Sequence, residues 1–160
     1  GSKIDMTLTI EPTTFSISTL TPLMVRVMIL KTRPGQPGNV TPSTASIKFI
    51  DAVGGIQPFS SVNQTYASMV YPIDSKFWTT KFDRVMTIGG QEVSGVKNIH
   101  HWLKCNHLVK CDELNTGIQQ QDVSYYLVWW GFDMRKPGDE SRGVQRFKTN
   151  MCWRTYFKDP

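Results

Sequence analysis

The densest run of reactive side chains is His100-His101-Trp102-Leu103-Lys104-Cys105-Asn106-His107-Leu108-Val109-Lys110-Cys111. His and Cys are common zinc ligands. In an extended chain His101, Cys105, His107 and Cys111 fall on one face with Leu103 and Val109, because successive strand side chains point to opposite sides. Residues two apart then lie about 6.6 Å from each other, so Cys105 and His107 could share an ion. Cys105 and Cys111, however, would stand about 20 Å apart along one strand and cannot meet at one ion. Structural zinc sites instead pair two close-spaced ligand sets across a turn. The preferred reading is a strand whose cysteines face the core as small hydrophobes, with no metal and no other cofactor.

Nucleophilic catalysis finds no better footing. A Cys and a His on one strand face could form a dyad, but no Gly-rich turn or helix N-terminus stands by to lower the thiol pKa or to build an oxyanion hole. His100-His101-Trp102 is not the His-apolar-His triplet of metal-dependent nickases, and no phosphate-binding Gly-Lys-Ser or Gly-Lys-Thr loop occurs. The adjacent carboxylates Asp139 and Glu140 belong to a charged, solvated loop. The chain does not read as an enzyme.

Basic residues interleaved with aromatics are the stronger signal. The face opposite the cysteines carries His100, Trp102, Lys104, Asn106 and Lys110, and residues 144–157 add Arg146, Lys148, Arg154 and Tyr156. Lys and Arg neutralise phosphates without reading sequence, and exposed rings stack on unpaired bases. Trp102, Lys104, Lys110, Arg146, Lys148 and Arg154 are therefore the expected nucleic-acid contacts. The competing explanation is that charge on the polar face of a sheet discourages edge-to-edge aggregation.

Residues 144–157 also show how such side chains would be held. Phe147, Met151, Trp153 and Phe157 alternate onto one side of a strand, and Arg146, Lys148, Arg154 and Lys158 onto the other. One side is suited to a core and the other to anions. Elsewhere Ile4, Met6, Leu8 and Ile10 alternate with Lys3, Asp5, Thr7 and Thr9, the period of a half-buried strand. Residues 23–30 are apolar on both faces except Arg26, as in a strand covered on both sides. Residues 77–88 place Trp78, Phe82, Met86 and Ile88 on one face, interrupted by Arg84, and end at Gly89-Gly90. Residues 99–111 and 125–132 complete the set, the latter apolar on both sides like a central strand. Residues 33–46, dense in Pro and Gly, and 133–143 read as long exposed loops, while 47–72 carry no firm element beyond room for a short helix.

Six strands with room for two more, loops of unequal length and no long amphipathic helix indicate an all-β fold, an antiparallel β-sandwich with jelly-roll or Greek-key connections. The 160 residues suit a single domain, residues 1–160, large enough to need no disulfide. Three cysteines point to a reducing compartment, against which stand the sequons at Asn39 and Asn63. A net charge of +5 permits anionic partners. No apolar run reaches the length of a membrane span and no signal peptide is visible, so no membrane partner is expected.

From Lys76 onward the order of motifs resembles the coat proteins of small circular single-stranded DNA viruses that encode a replication initiator, the group of geminiviruses, genomoviruses, nanoviruses and circoviruses. The resemblance runs through Phe77-Trp78-Thr79-Thr80-Lys81-Phe82-Asp83-Arg84-Val85-Met86-Thr87-Ile88, similar to a family strand holding an Asp-Lys or Asp-Arg pair. It continues in Trp102-Leu103-Lys104-Cys105-Asn106-His107-Leu108-Val109 and Tyr125-Tyr126-Leu127-Val128-Trp129-Trp130. It closes on Arg154-Thr155-Tyr156-Phe157-Lys158-Asp159, like the family's Arg-x-Tyr-Phe-x-Asp ending. Gly1-Ser2-Lys3-Ile4 and residues 24–30, leading to Arg33-Pro34, fit two opening strands, and Gly1-Ser2 reads either as natural chain or as a cloning scar.

The resemblance implies a jelly-roll capsid subunit that self-assembles into an icosahedral shell, of 60 copies in the simplest case, enclosing single-stranded DNA in a virion formed in the host nucleus. The family's basic N-terminal arm, which binds DNA and directs nuclear import, has no counterpart in this chain. Two alternatives remain: a secreted β-sandwich that binds carbohydrate through Trp78, Trp129, Trp130 or Tyr125, and a jelly-roll coat of an RNA virus.

Overall fold

A computed structural model describes residues 1–11, 22–33, 42, 47–59, 65–89, 95–105, 124–134 and 146–156. The elements in chain order are β1 (Ser2–Glu11), β2 (Leu23–Thr32), β3 (Lys48–Ile50), β4 (Ile56–Pro58), α1 (Ala67–Val70), β5 (Trp78–Ile88), β6 (Val96–Leu103), β7 (Tyr125–Asp133) and β8 (Arg146–Thr155). Three sheets result, in the orders β6-β1-β8, β5-β2-β7 and β3-β4. The described chain is all-β apart from the single turn of α1, as the period-two patterning indicates. It gathers into two compact units, one of Gly1–Met24, Met86–Asn106 and Asp133–Pro160, the other of Val25–Val85 and His107–Phe132.

In the first unit β1 runs antiparallel to both neighbours, with Ile4 opposite His101 and Trp153, and Met6 opposite Ile99 and Met151. Because alternate side chains share a face, Ser2, Ile4, Met6 and Leu8 line one side together with Ile99 and Leu103, and all six are buried. Coverage fades toward β8. Phe147 and Trp153 are half-buried, and Met151 is 47% exposed although Met6 beside it is 1% exposed. Met151 is thus not a core residue. The reason is position: among the described strands β8 has β1 as its one neighbour, and a sheet edge receives less cover than its middle. Phe157 lies outside the described residues.

In the second unit β2 is central and buried on both alternations from Val25 to Leu30, so the unbroken apolar run in the sequence is explained. Arg26 is buried with them at 3% exposure. Its guanidinium grips Asp83 of β5 through two parallel bonds, Nε to Oδ1 at 2.9 Å and Nη2 to Oδ2 at 2.6 Å. Nη1 donates to the carbonyl oxygens of Ser68 and Tyr71 at 2.9 and 2.7 Å, and the group lies 5.7 Å from the Trp130 ring. Trp130 Nε1 in turn donates to Ser68 Oγ at 3.1 Å. A buried charge is tolerable only when paired and fully hydrogen-bonded, and here one side chain joins β2, β5, β7 and α1.

Two expectations are corrected. β7 is the outer strand of its sheet among the described residues, not a central one, and Trp129 is 37% exposed. β6 ends at Leu103 with Lys104 and Cys105 beyond it, and residues 106–111 of the expected strand lie outside the described residues. Residues 47–72 hold a hairpin of two three-residue strands, too short to leave a period. Its turn is fixed by Asp51, whose Oδ1 accepts from Val53 N at 3.0 Å and Gly55 N at 2.6 Å. Gly54 adopts φ +86° there, a conformation that favours glycine. The loops expected at 33–46 and 133–143 and the sequons at Asn39 and Asn63 fall almost wholly outside the described residues.

Replacing Asp83 by Ala strips a buried guanidinium of its carboxylate, so stability should fall by about 2–3 kcal/mol, Asp83 being itself partly exposed. Arg84→Ala, at the exposed neighbouring position, should stay within about 0.5 kcal/mol. Urea unfolding of both variants measures the difference; equal losses would contradict the assignment.

Candidate nucleic-acid interface

The second side of the β6-β1-β8 sheet is open to solvent. Pairing in register places Trp102, Lys3 and Arg154 in one row, His100, Asp5 and Cys152 in the next, then Asn98, Thr7 and Asn150, and finally Val96, Thr9 and Lys148. The rows are about 6.6 Å apart, so Lys148 stands about 20 Å from Arg154 along the strand. Among the described side chains of these rows are three cations, Lys3, Lys148 and Arg154, and one carboxylate, Asp5. Three of the expected residues, Trp102, Lys148 and Arg154, therefore share a face, and the register adds Lys3, which local pattern did not single out. Lys3 shows in sequence only as a polar position in an alternating strand; its place between Trp102 and Arg154 comes from pairing with chain segments about a hundred or more residues away.

Of the remaining expected contacts, Arg146 falls one row beyond Lys148 on the same alternation of β8. Lys104 is exposed one residue beyond the end of β6. Arg146 opens β8 opposite Glu11, at the far end of the sheet from Lys3. Lys110 lies outside the described residues.

Asp5 organises the middle of the face. Its Oδ1 accepts from His100 Nδ1 at 2.8 Å and its Oδ2 lies 3.2 Å from Lys3 Nζ. The His100 hydrogen bond, with help from Lys3, holds the Asp5 carboxyl below the usual carboxylate range. Interaction with Cys152 first and Tyr156 second raises the Arg154 pKa further above its already high ordinary value, so this cation persists at any working pH. On the opposite side of β6, burial pushes the His101 imidazole down.

The cysteine and histidine run is broken by the end of β6. Cys105 Sγ lies 3.9 Å from Ser2 Oγ and donates to the Leu103 carbonyl at 3.7 Å, a structural placement, while His107 and Cys111 lie outside the described residues. Among the described residues no three His, Cys, Asp or Glu side chains gather where they could hold a metal ion, and no helix is long and apolar enough to cross a membrane. Two of the aromatics considered for sugar stacking are unsuited to it, since Trp78 is 1% and Trp130 8% exposed. Trp78 packs edge-on against Tyr126, and Trp130 belongs to the Arg26 cluster.

No family model matches the chain, and no curated protein or solved structure matches it.

The Asp5 carboxylate contributes stability that is present above its unfolded pKa of about 3.9 and is lost as pH falls through the lower folded value. NMR titration should place the Asp5 midpoint below about 3.9 in the native chain, and His100→Ala should move it upward. A native midpoint at or above that value contradicts the His100 contact.

Proposed function

We propose that this chain is the shell subunit of a jelly-roll coat that assembles with copies of itself around single-stranded DNA. The observation that carries the reading is the open face of β6-β1-β8, where among the described side chains of its rows Lys3, Lys148 and Arg154 outnumber the carboxylate Asp5, and Lys3 and Arg154 stand beside the exposed ring of Trp102. Such a surface neutralises a phosphate backbone without selecting a sequence, which is what enclosing a whole genome demands. The strand neighbours support the jelly-roll form: among the described strands the first lies beside the last and the second beside the penultimate, the nesting produced when a long hairpin wraps on itself. The motif order from Lys76 to Asp159 supports the same reading. Function on this account is assembly, with no turnover, and the chain's chemistry is packing, strand pairing and charge neutralisation.

Purified protein mixed with circular single-stranded DNA should yield closed particles by electron microscopy and sedimentation, with the DNA inside resistant to nuclease. A species that stays monomeric at high concentration, with and without DNA, overturns the proposal. Particles that protect RNA in preference to DNA would reassign the genome.

A further inference from the structure

Trp102 and Tyr156 come from the two chain segments flanking β1 and stack across its beginning, with ring centroids 5.5 Å apart and planes 28° from parallel. Tyr156, one residue past β8, is tied down by its own backbone: Tyr156 N donates to Gly1 O at 2.8 Å, and Gly1 N donates to Tyr156 O at 3.0 Å. Gly1 makes room for the pair. A Cβ there would lie 3.1 Å from Trp102 Cζ2 and 3.3 Å from Cε2, so the indole occupies the space a side chain would take. Aromatic rings from neighbouring strands can cover a glycine in this way purely for stability. Yet Trp102 remains 53% and Tyr156 48% exposed, and Lys3 and Arg154 occupy the same row.

We propose that the Trp102–Tyr156 pair is a stacking platform for one unpaired base, with Lys3 and Arg154 taking the neighbouring phosphates. This rests on the nucleic-acid reading above and names its place and mode of contact. A ring already braced by a second ring and a backbone surrenders little freedom when a base settles on it. Aromatic stacking of this kind strengthens binding by about 5- to 150-fold per base and tolerates any sequence. Bases already stacked in a duplex cannot use the platform, so it favours single strands.

The test is tryptophan fluorescence of the full chain titrated with an oligothymidylate, with the same strand in a duplex, and with a neutral oligosaccharide. Only the single strand should quench. Trp102→Phe should retain most of the affinity and lose that quench, which identifies Trp102 among the five tryptophans. Trp102→Leu should weaken oligothymidylate binding about 5- to 150-fold with the salt dependence unchanged, because a stacked base releases no counterion. Lys3→Ala should lower the salt slope by about 0.7. Unchanged affinity in Trp102→Leu, a quench that survives in Trp102→Phe, or quenching by the oligosaccharide overturns the platform. Should Trp102→Leu fail to fold, the quench comparison with Trp102→Phe decides the matter. Particle formation is a separate readout: its failure overturns the shell reading and leaves the platform standing, while particles that enclose DNA around an unquenched Trp102 overturn the platform alone.

Discussion

The phase of β1 governs the sheet that carries the candidate interface. A strand bonded on both edges cannot slip by one residue without turning every side chain to the opposite face, and slippage here would expose Ile4, Met6 and Leu8 while burying Lys3 and Asp5. That penalty locks β6 and β8 into the observed register. Trp102 and Arg154 consequently arrive beside Lys3, and His100 beside Asp5. The charged face needs no dedicated scaffold: it is the reverse side of the hydrophobic core, ordered by the same pairing.

The second sheet solves a different problem. β2 is buried on both sides from Val25 to Leu30, so Arg26, the one charged residue of that run, has no route to water and must find its partners inside the protein. It finds a carboxylate on β5, two carbonyls around α1 and the face of Trp130. Such an arrangement is weak evidence of extra stability, because desolvating both charges offsets much of their attraction. What it favours is specificity, since these four bonds form together only with β5 and α1 held in place against β2. The Asp-Arg pair at residues 83 and 84 thus divides its labour, the acid turned to Arg26 and the Arg exposed to water.

How much of this was legible in the sequence depends on whether the signal was local. The alternation of β1, the unbroken apolar run of β2 and the Gly89 stop after β5 are statements about neighbouring residues, and each survives in the structure. The face assignments of His100, Trp102, Lys148 and Arg154 survive for the same reason. What failed required knowledge of partners. Met151 reads as core because it alternates correctly, yet an edge strand lacks the cover that alternation promises. The run from Ile99 to Cys111 keeps an apolar period past Leu103, where the strand ends. Arg26 reads as an exception in β2 until Asp83, 57 positions later, supplies its counter-charge. Lys3 joins the interface only through the register, which no local pattern encodes.

The central claim, that the open face of the β6-β1-β8 sheet meets single-stranded nucleic acid, is tested most directly by photo-crosslinking. Single-stranded DNA carrying 5-iodouracil, irradiated with the protein and mapped by mass spectrometry, should attach to peptides containing Lys3, Trp102 or Tyr156. Crosslinks confined to β5, β2 and β7, or none at DNA concentrations that saturate binding, would contradict it.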